Sequence, residues 1–274
     1  PSPALLVYPE RIGENIRRMI AVLGQAERLR PHVKTHKMAE VVQLQLKAGI
    51  TKFKCATIAE AEMLGQAGAK DVLLANQPVG PNIARLLGLG GWFRDVRFST
   101  IADDANTVGN LAQAAQSAGV TLSVWLDLDV GMSRTGIAPG QAAATLYKLI
   151  GQLPGVDPAG LHLYDGHLHE GDPAKRLAKW QTMMDQVRPF RTGLEADGLP
   201  VPGVVGGGTP TFPFHAQHTD HVCSPGTTLL WDFGYRDAFP DLDYQNAAVL
   251  LTRVISKPGS DCITLDLGHK AVAE

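Results

Sequence analysis

The stretch Arg30-Pro31-His32-Val33-Lys34-Thr35-His36-Lys37 decides how the rest of the chain is read. Successive side chains of a strand point to opposite faces. An extended Leu29 to His36 therefore gathers Arg30, His32, Lys34 and His36 on one face, and Leu29, Pro31, Val33 and Thr35 on the other. The first face is cationic and the second mostly apolar. Amphipathic helical spacing over Ile12 to Leu23 precedes the stretch, and a second helical pattern, Met38 to Leu46, follows it. Helix, strand, helix is the pattern of a parallel strand, which is ordinarily covered on both sides. A lysine buried there, or at the mouth among other cations, gives up its proton more readily than a free amine near ~10.4, because desolvation and like charge both disfavour the ammonium. A neutral amine is a nucleophile toward aldehydes. The same residues also suit a solvated basic strand end, since charged side chains are mostly exposed.

Outward from this stretch the alternation repeats. Pro3 to Tyr8 is a short apolar run, and Pro9 and Glu10 open the first helix, where proline suits the first turn. Strand patterns at Thr51 to Ala56, Asp71 to Ala75, Val96 to Ser99, Thr121 to Leu128 and Gly160 to Tyr164 are each followed by helical spacing, at Ile58 to Ala67, Pro78 to Leu89, Asp103 to Ala118, Pro139 to Leu153 and Pro173 to Leu194. Val201 to Val205 and His221 to Cys223 complete about eight strands in roughly 230 residues, the spacing of an α/β chain folded as a (β/α)8 TIM-type barrel. An open doubly wound sheet alternates similarly but more often carries a glycine fingerprint after its first strand, and none stands there. Beyond Tyr235 the texture changes. Ala247 to Ser256 and Asp261 to Leu267 read as strands around a turn at Lys257-Pro258-Gly259-Ser260, so a second, mainly β domain is expected over 236–274 after a barrel over 1–235.

Composition excludes several classes. With 45% hydrophobic and 19% charged residues the chain is an ordinary globular sequence, and a net charge of −2 shows no basic excess for nucleic acid or an anionic membrane. No run of about 18 apolar residues is present and the N-terminus has no leader pattern, so a cytoplasmic location is expected. Cys55, Cys223 and Cys262 are widely spaced and odd in number, which fits unpaired thiols in a reducing compartment.

Several loops carry candidate chemistry. Val205-Gly206-Gly207-Gly208-Thr209-Pro210-Thr211 follows a strand; glycines let backbone N–H groups approach an anion and the threonines can donate, although a flexible turn would look the same. Cys223-Ser224-Pro225-Gly226-Thr227-Thr228 comes just after the next strand and adds donors, at the place where barrels commonly hold phosphates. Leu126 to Gly136 ends a strand in a loop bearing Arg134, whose guanidinium suits an oxyanion or a salt bridge to Asp127 or Asp129. His167 and His169 in Tyr164-Asp165-Gly166-His167-Leu168-His169 could be catalytic bases, metal ligands or plain loop histidines. His32 could tune Lys34 or be a packed core histidine. Asn76 and Gln77 could reach a ligand or cap the next helix. His215, His218 and His221 form no pattern that converts to chemistry.

Arg30 to Lys37, together with the segments just quoted, resembles the D-threonine aldolase and D-serine dehydratase family, which has the alanine-racemase-like fold and binds pyridoxal 5′-phosphate (PLP). The resemblance runs along nearly all of the chain. It implies that Lys34 carries the Schiff base at the end of the first barrel strand. It further implies that Gly207, Gly208, Thr209, Gly226 and Thr227 hold the phosphate, that Arg134 approaches the phenolic oxygen or the substrate carboxylate, and that Tyr164 lies at the ring nitrogen. His167 and His169 are carried as catalytic candidates. The implied reaction is retro-aldol cleavage of a D-3-hydroxy amino acid such as D-threonine to glycine and an aldehyde. The alternatives are a D-serine or D-3-hydroxyaspartate dehydratase giving a 2-oxo acid and ammonia, an amino-acid racemase, or a non-catalytic PLP carrier. Tyr164-Asp165-Gly166-His167 and Asp266-Leu267-Gly268-His269-Lys270 lean toward the aldolase. The family's divalent-metal ligands, a histidine with a cysteine or aspartate two residues away, have no counterpart here. A Mn, Mg or Zn ion would then be held by residues not in this chain, whose second domain reads as incomplete. A homodimer is expected.

Overall fold

In a computed structural model, which describes residues 1–269, 271 and 272, the helices and strands alternate almost throughout. Lys270, Ala273 and Glu274, assigned above to the second domain and in part to the aldolase-like segment, lie outside the described residues. Seven parallel strands lie side by side in chain order: β2 (Lys52–Cys55), β3 (Asp71–Leu74), β4 (Arg97–Ala102), β5 (Leu122–Leu128), β6 (Val156–Leu163), β7 (Val204–Gly206) and β8 (His221–Cys223). Consecutive parallel order requires a crossover after each strand, and α3 (Ile58–Ala67), α4 (Pro81–Trp92), α5 (Ala105–Ser117), α6 (Gln141–Gln152) and α7 (Pro173–Ala196) supply five of them. Their boundaries are chemical. Thr57 accepts from the Glu60 N–H at the start of α3, Asp104 from Thr107 N at α5, and Asp172 from Ala174 N at α7, so each satisfies a donor the first turn would leave open.

The opening segment differs from its reading as a regular strand to His36. Only Leu29–His32 is extended. There Arg30 N donates to Cys223 O (2.8 Å) and His32 N to Pro225 O (3.1 Å), while Pro31 O accepts from Lys54 N (3.0 Å). The segment thus bonds to β8 on one side and β2 on the other and takes the eighth place around the barrel. Val33–Thr35 then turns into one 3₁₀ turn. His36 consequently leaves the cationic face, is buried, and accepts from Met38 N through Nδ1 (3.1 Å). Arg30 is buried against Asp71 (2.6 Å) rather than at the mouth.

The helices α1 (Pro9–Leu23) and α2 (Ala39–Lys47) flank this segment, and α1 buries Ile12, Ile16, Met19 and Leu23 on the face toward the core. The short N-terminal strand β1 (Ala4–Val7) pairs antiparallel with β9 (Ala248–Leu251), so the division expected at Tyr235 is crossed by the chain's own beginning. Asn15 of α1 reinforces this, donating to Leu229 O and Gln245 O and accepting from Gln245 N. The expected single strand over Ala247 to Ser256 is two, β9 and β10 (Val254–Gly259). β10 runs through Pro258 and Gly259 and reverses only afterwards into β11 (Cys262–Leu265).

Candidate active site

The C-terminal ends of β6, β7 and β8 and the turn after Leu29–His32 enclose one cleft. Lys34, Lys54, Tyr164, His169, Gly208, Thr209, Ser224, Gly226, Thr227 and Tyr235 are among the residues that line it. Lys34 projects from the 3₁₀ turn, whose cap is His32: the Lys34 N–H donates to His32 Nδ1 (3.2 Å). Burial, then the charges of Lys54 and Lys34, push the His32 imidazole down to about 2, so His32 is a neutral acceptor that shapes the lysine turn. Burial lowers the proton affinity of Lys34 too. The charges of Arg134 and Lys37 act in the same direction and Glu60 opposes them. Lys37 itself is tied to Glu60 (2.5 Å).

Tyr164 lies at the centre of a ring of cations. The Arg134 guanidinium carbon is 4.7 Å from its ring centroid, Lys34 Nζ 5.6 Å and Lys54 Nζ 5.9 Å. The salt bridge considered for Arg134 does not form. Asp127 is taken by His162 Nδ1 (2.6 Å), and Asp129 Oδ1 accepts from Gly131 N and Ser133 N (3.0 Å each). The guanidinium is left on the aromatic face.

The two glycine-bearing turns meet through a hydroxyl. Thr209 Oγ1 accepts from Gly226 N (3.2 Å) and Thr227 N (3.1 Å). A β-carbon at Gly226 would come 3.1 Å from Thr35 Oγ1 and 3.2 Å from His32 O, so glycine lets this turn pack closely on the lysine turn. Gly207 has φ 72°, a conformation that glycine adopts without strain. Gly208 departs from its expected role, since its N–H donates to Asp165 Oδ1 (3.1 Å) and its carbonyl accepts from Thr211 and Phe212; the residue shapes the turn and its donor faces away from an incoming anion. Ser224 Oγ is buried with no partner among the described residues. A buried hydroxyl beside Gly226 and Thr227 with no acceptor of its own fits a phosphate, as does the amine of Lys34 an aldehyde.

The two histidine candidates separate. His169 lines the cleft, whereas His167 packs on Gly131, where a β-carbon would come 2.8 Å from Nε2. Asn76 and Gln77 line a different cleft, at the C-terminal ends of β2 and β3, and Gln77 Oε1 accepts from Asp103 N (2.8 Å). Among the described residues one cluster could in principle ligate a metal, His218, Asp220 and His221. Its imidazoles are stacked with centroids 4.9 Å apart and planes 26° apart, so their in-plane lone pairs do not converge, and Asp220 is engaged by Arg191.

Sequence reasoning missed Lys54, Ser224 and the buried pair Asp165 and His215. Lys54 is 4% exposed, and desolvation outweighs Asp127 and Asp165 to bring its amine down to about 8. The available signal was a lysine in the middle of a strand read as covered on both sides. Ser224 lies in Cys223-Ser224-Pro225-Gly226-Thr227-Thr228, where nothing in the sequence distinguishes a buried serine hydroxyl from an exposed one.

The fold and the site together define a class, the parallel α/β barrels whose reactive groups gather at the C-terminal ends of the strands. A family model, the alanine racemase N-terminal domain, matches residues 7–232, and the chain belongs to that family. A D-threonine aldolase of Arthrobacter is 29% identical over 98% of this chain and 72% of its own length. The crystal structure of D-threonine aldolase from Filomicrobium marinum superposes with a TM-score of 0.91 at 28% identity, over 100% of this chain and 74% of that one. The D-threo-3-hydroxyaspartate dehydratase of Delftia superposes at 0.78 with 26% identity, over 93% and 68%.

Proposed function

We propose that this protein is a PLP-dependent lyase that cleaves D-3-hydroxy amino acids such as D-threonine into glycine and an aldehyde. The observation that carries the reading is the convergence of the Lys34 amine with Thr209, Ser224, Gly226 and Thr227 around one cleft, in a chain similar to D-threonine aldolases. PLP, when bound, supplies a carbonyl for the substrate amine and a ring that accepts the electron pair released at Cα.

The protein's own residues then have distinct tasks. Lys34 is the amine for the cofactor aldehyde, and its lowered proton affinity enlarges the neutral, nucleophilic fraction near pH 7. Ser224 Oγ is assigned to the phosphate, beside the turn that Thr209 holds through Gly226 N and Thr227 N. Arg134 keeps its charge throughout turnover and so suits an oxyanion, either the substrate carboxylate or the phenolic oxygen. Tyr164, whose ring faces three cations, is assigned as the hydroxyl donor to the ring nitrogen. His169, which lines the cleft, is assigned as the base that removes the β-hydroxyl proton; His167, packed on Gly131, is not. A divalent ion (Mn, Mg or Zn) is part of this reading through the family resemblance, and none of the described residues is assigned to it. The similarity to a D-threo-3-hydroxyaspartate dehydratase supports a second reading, in which a 2-oxo acid and ammonia are formed. A homodimer in the cytoplasm completes the proposal; no helix of the described residues is long and apolar enough to cross a membrane.

The test is an assay with PLP and Mn²⁺ or Mg²⁺ on D-threonine and D-serine, following acetaldehyde, glycine, pyruvate and ammonia separately. Glycine with acetaldehyde is the expected result. Ammonia with a 2-oxo acid selects the dehydratase, and no product from either substrate overturns both readings. The Lys34→Ala variant should lose the visible absorbance of the bound cofactor and at least about a thousandfold in turnover; a retained band places the reactive amine elsewhere.

A further inference from the structure

Beneath the glycine turn, out of contact with the cleft, lies a hydrogen-bonded file of three buried side chains. Asp165 follows β6, His215 ends the short helix Phe212–His215, and His221 begins β8; they are 1%, 0% and 3% exposed. Asp165 Oδ2 meets His215 Nε2 at 3.0 Å, and His215 Nδ1 meets His221 Nδ1 at 2.9 Å. The other carboxylate oxygen accepts from Gly208 N (3.1 Å). Burial alone would raise the Asp165 carboxyl, but the His215, Thr211 and Gly208 donors hold it at about 2, so it is an ionised, acceptor-only group. His215 must therefore carry its proton on Nε2, whichever charge the ring has. The glycine run is also shaped to admit this ring: a β-carbon at Gly206 would lie 2.8 Å from His215 Cε1, and one at Gly207 3.2 Å from Cδ2.

We propose that His215 is a positioning residue for the cofactor's phosphate site, acting through Asp165. This rests on the PLP reading above. The imidazole fixes the carboxylate, and the carboxylate fixes Gly208 N. The turn so held presents Thr209 Oγ1 to Gly226 N and Thr227 N, which join it to the segment bearing the unpartnered Ser224 hydroxyl. Removing the His215 donor leaves a buried carboxylate one partner short, and the turn loses its anchor. The consequence is selective. The phosphate end of the ligand should feel the change and the aldehyde end should not.

The test compares His215→Asn with His215→Gln. Glutamine places an N–H near the position of Nε2 and can still reach Asp165; asparagine is too short. Dissociation constants are measured by absorbance for PLP and for pyridoxal, which lacks the phosphate, with the refolding midpoint of each apoprotein as a control for folding. The expected result is a loss of about tenfold or more in PLP affinity for His215→Asn, recovery to within about threefold for His215→Gln, and pyridoxal affinity unchanged in both. Equal loss for PLP and pyridoxal, or no loss for His215→Asn, overturns the proposal. If the unaltered protein binds neither compound, the PLP reading itself fails, which is a separate outcome. Should His215→Asn not fold, His215→Gln still decides: a loss of tenfold or more shared equally by PLP and pyridoxal there overturns the proposal, and PLP affinity kept within about threefold with pyridoxal unchanged is the expected result.

Discussion

Lys54 and Lys34 show how one residue type takes two characters within a single cleft. Lys34 sits on a turn at the rim with its amine open to ligand. Lys54 lies within β2, is almost fully buried, and has no salt-bridge partner among the described residues. Its amine is brought down to about 8, so the folded state binds fewer protons than the unfolded chain between about pH 8 and the ordinary lysine value. Stability contributed by this site is therefore lowest below pH 8 and rises as pH increases toward 10.5. Replacing the ammonium with a thioether of similar length should remove that penalty. Lys54→Met is expected to stabilise the cofactor-free protein by up to about 3 kcal/mol near pH 7, with the gain shrinking above pH 8; urea denaturation at pH 7 and 9.5 reads it. A gain that does not change with pH would mean that packing, not charge, is responsible. The lysine motif was legible because its residues are contiguous. Lys54 was not, because its importance comes from having Tyr164, Asp127 and Lys34 as neighbours.

At the level of elements, the barrel strands carry constraints that differ sharply from those of the outer helices. Gly160 in β6 has φ 130°, and a β-carbon there would lie 2.2 Å from Gly203 O and 2.9 Å from the Trp125 ring, at the irregular register between β5 and β6. Gly160→Ala combines backbone strain with a main-chain clash and should cost about 2–4 kcal/mol in chemical denaturation. Gly13, exposed within α1, meets nothing within 4 Å, so Gly13→Ala should stabilise by about 0.5–1 kcal/mol. A Gly160→Ala variant as stable as the parent would show that the β5 and β6 pairing relaxes around a side chain. Nearly all helices and strands were legible from period and punctuation, as with Ile58 to Ala67 stopped by Gly68. The first strand was misjudged in length because alternation of polar and apolar residues continues to His36. A 3₁₀ turn after His32 is set instead by His32 accepting from Lys34 N and by the bond of His32 N to Pro225, a residue far along the chain.

For the molecule as a whole, the pairing of β1 with β9 makes the barrel and the β region share one chain crossing. β10 and β11, paired with one another, leave Val254, Ile255, Ile263 and Leu265 exposed. The proposed homodimer is checked by sedimentation equilibrium of the active enzyme, with a mass twice that of the chain as the expected result; a fully active monomer would exclude a site shared between subunits. The order of the elements and the composition of the lysine and glycine motifs were determined by the sequence alone, because each rests on residues close to one another along the chain. The tertiary structure alone decided that Arg134 faces Tyr164 and not an aspartate, that Gly208 points its donor at Asp165, and that His215 and His221 stand in file beneath the turn. Those contacts join residues up to 50 positions apart, and closure of the barrel is what places them within hydrogen-bond reach.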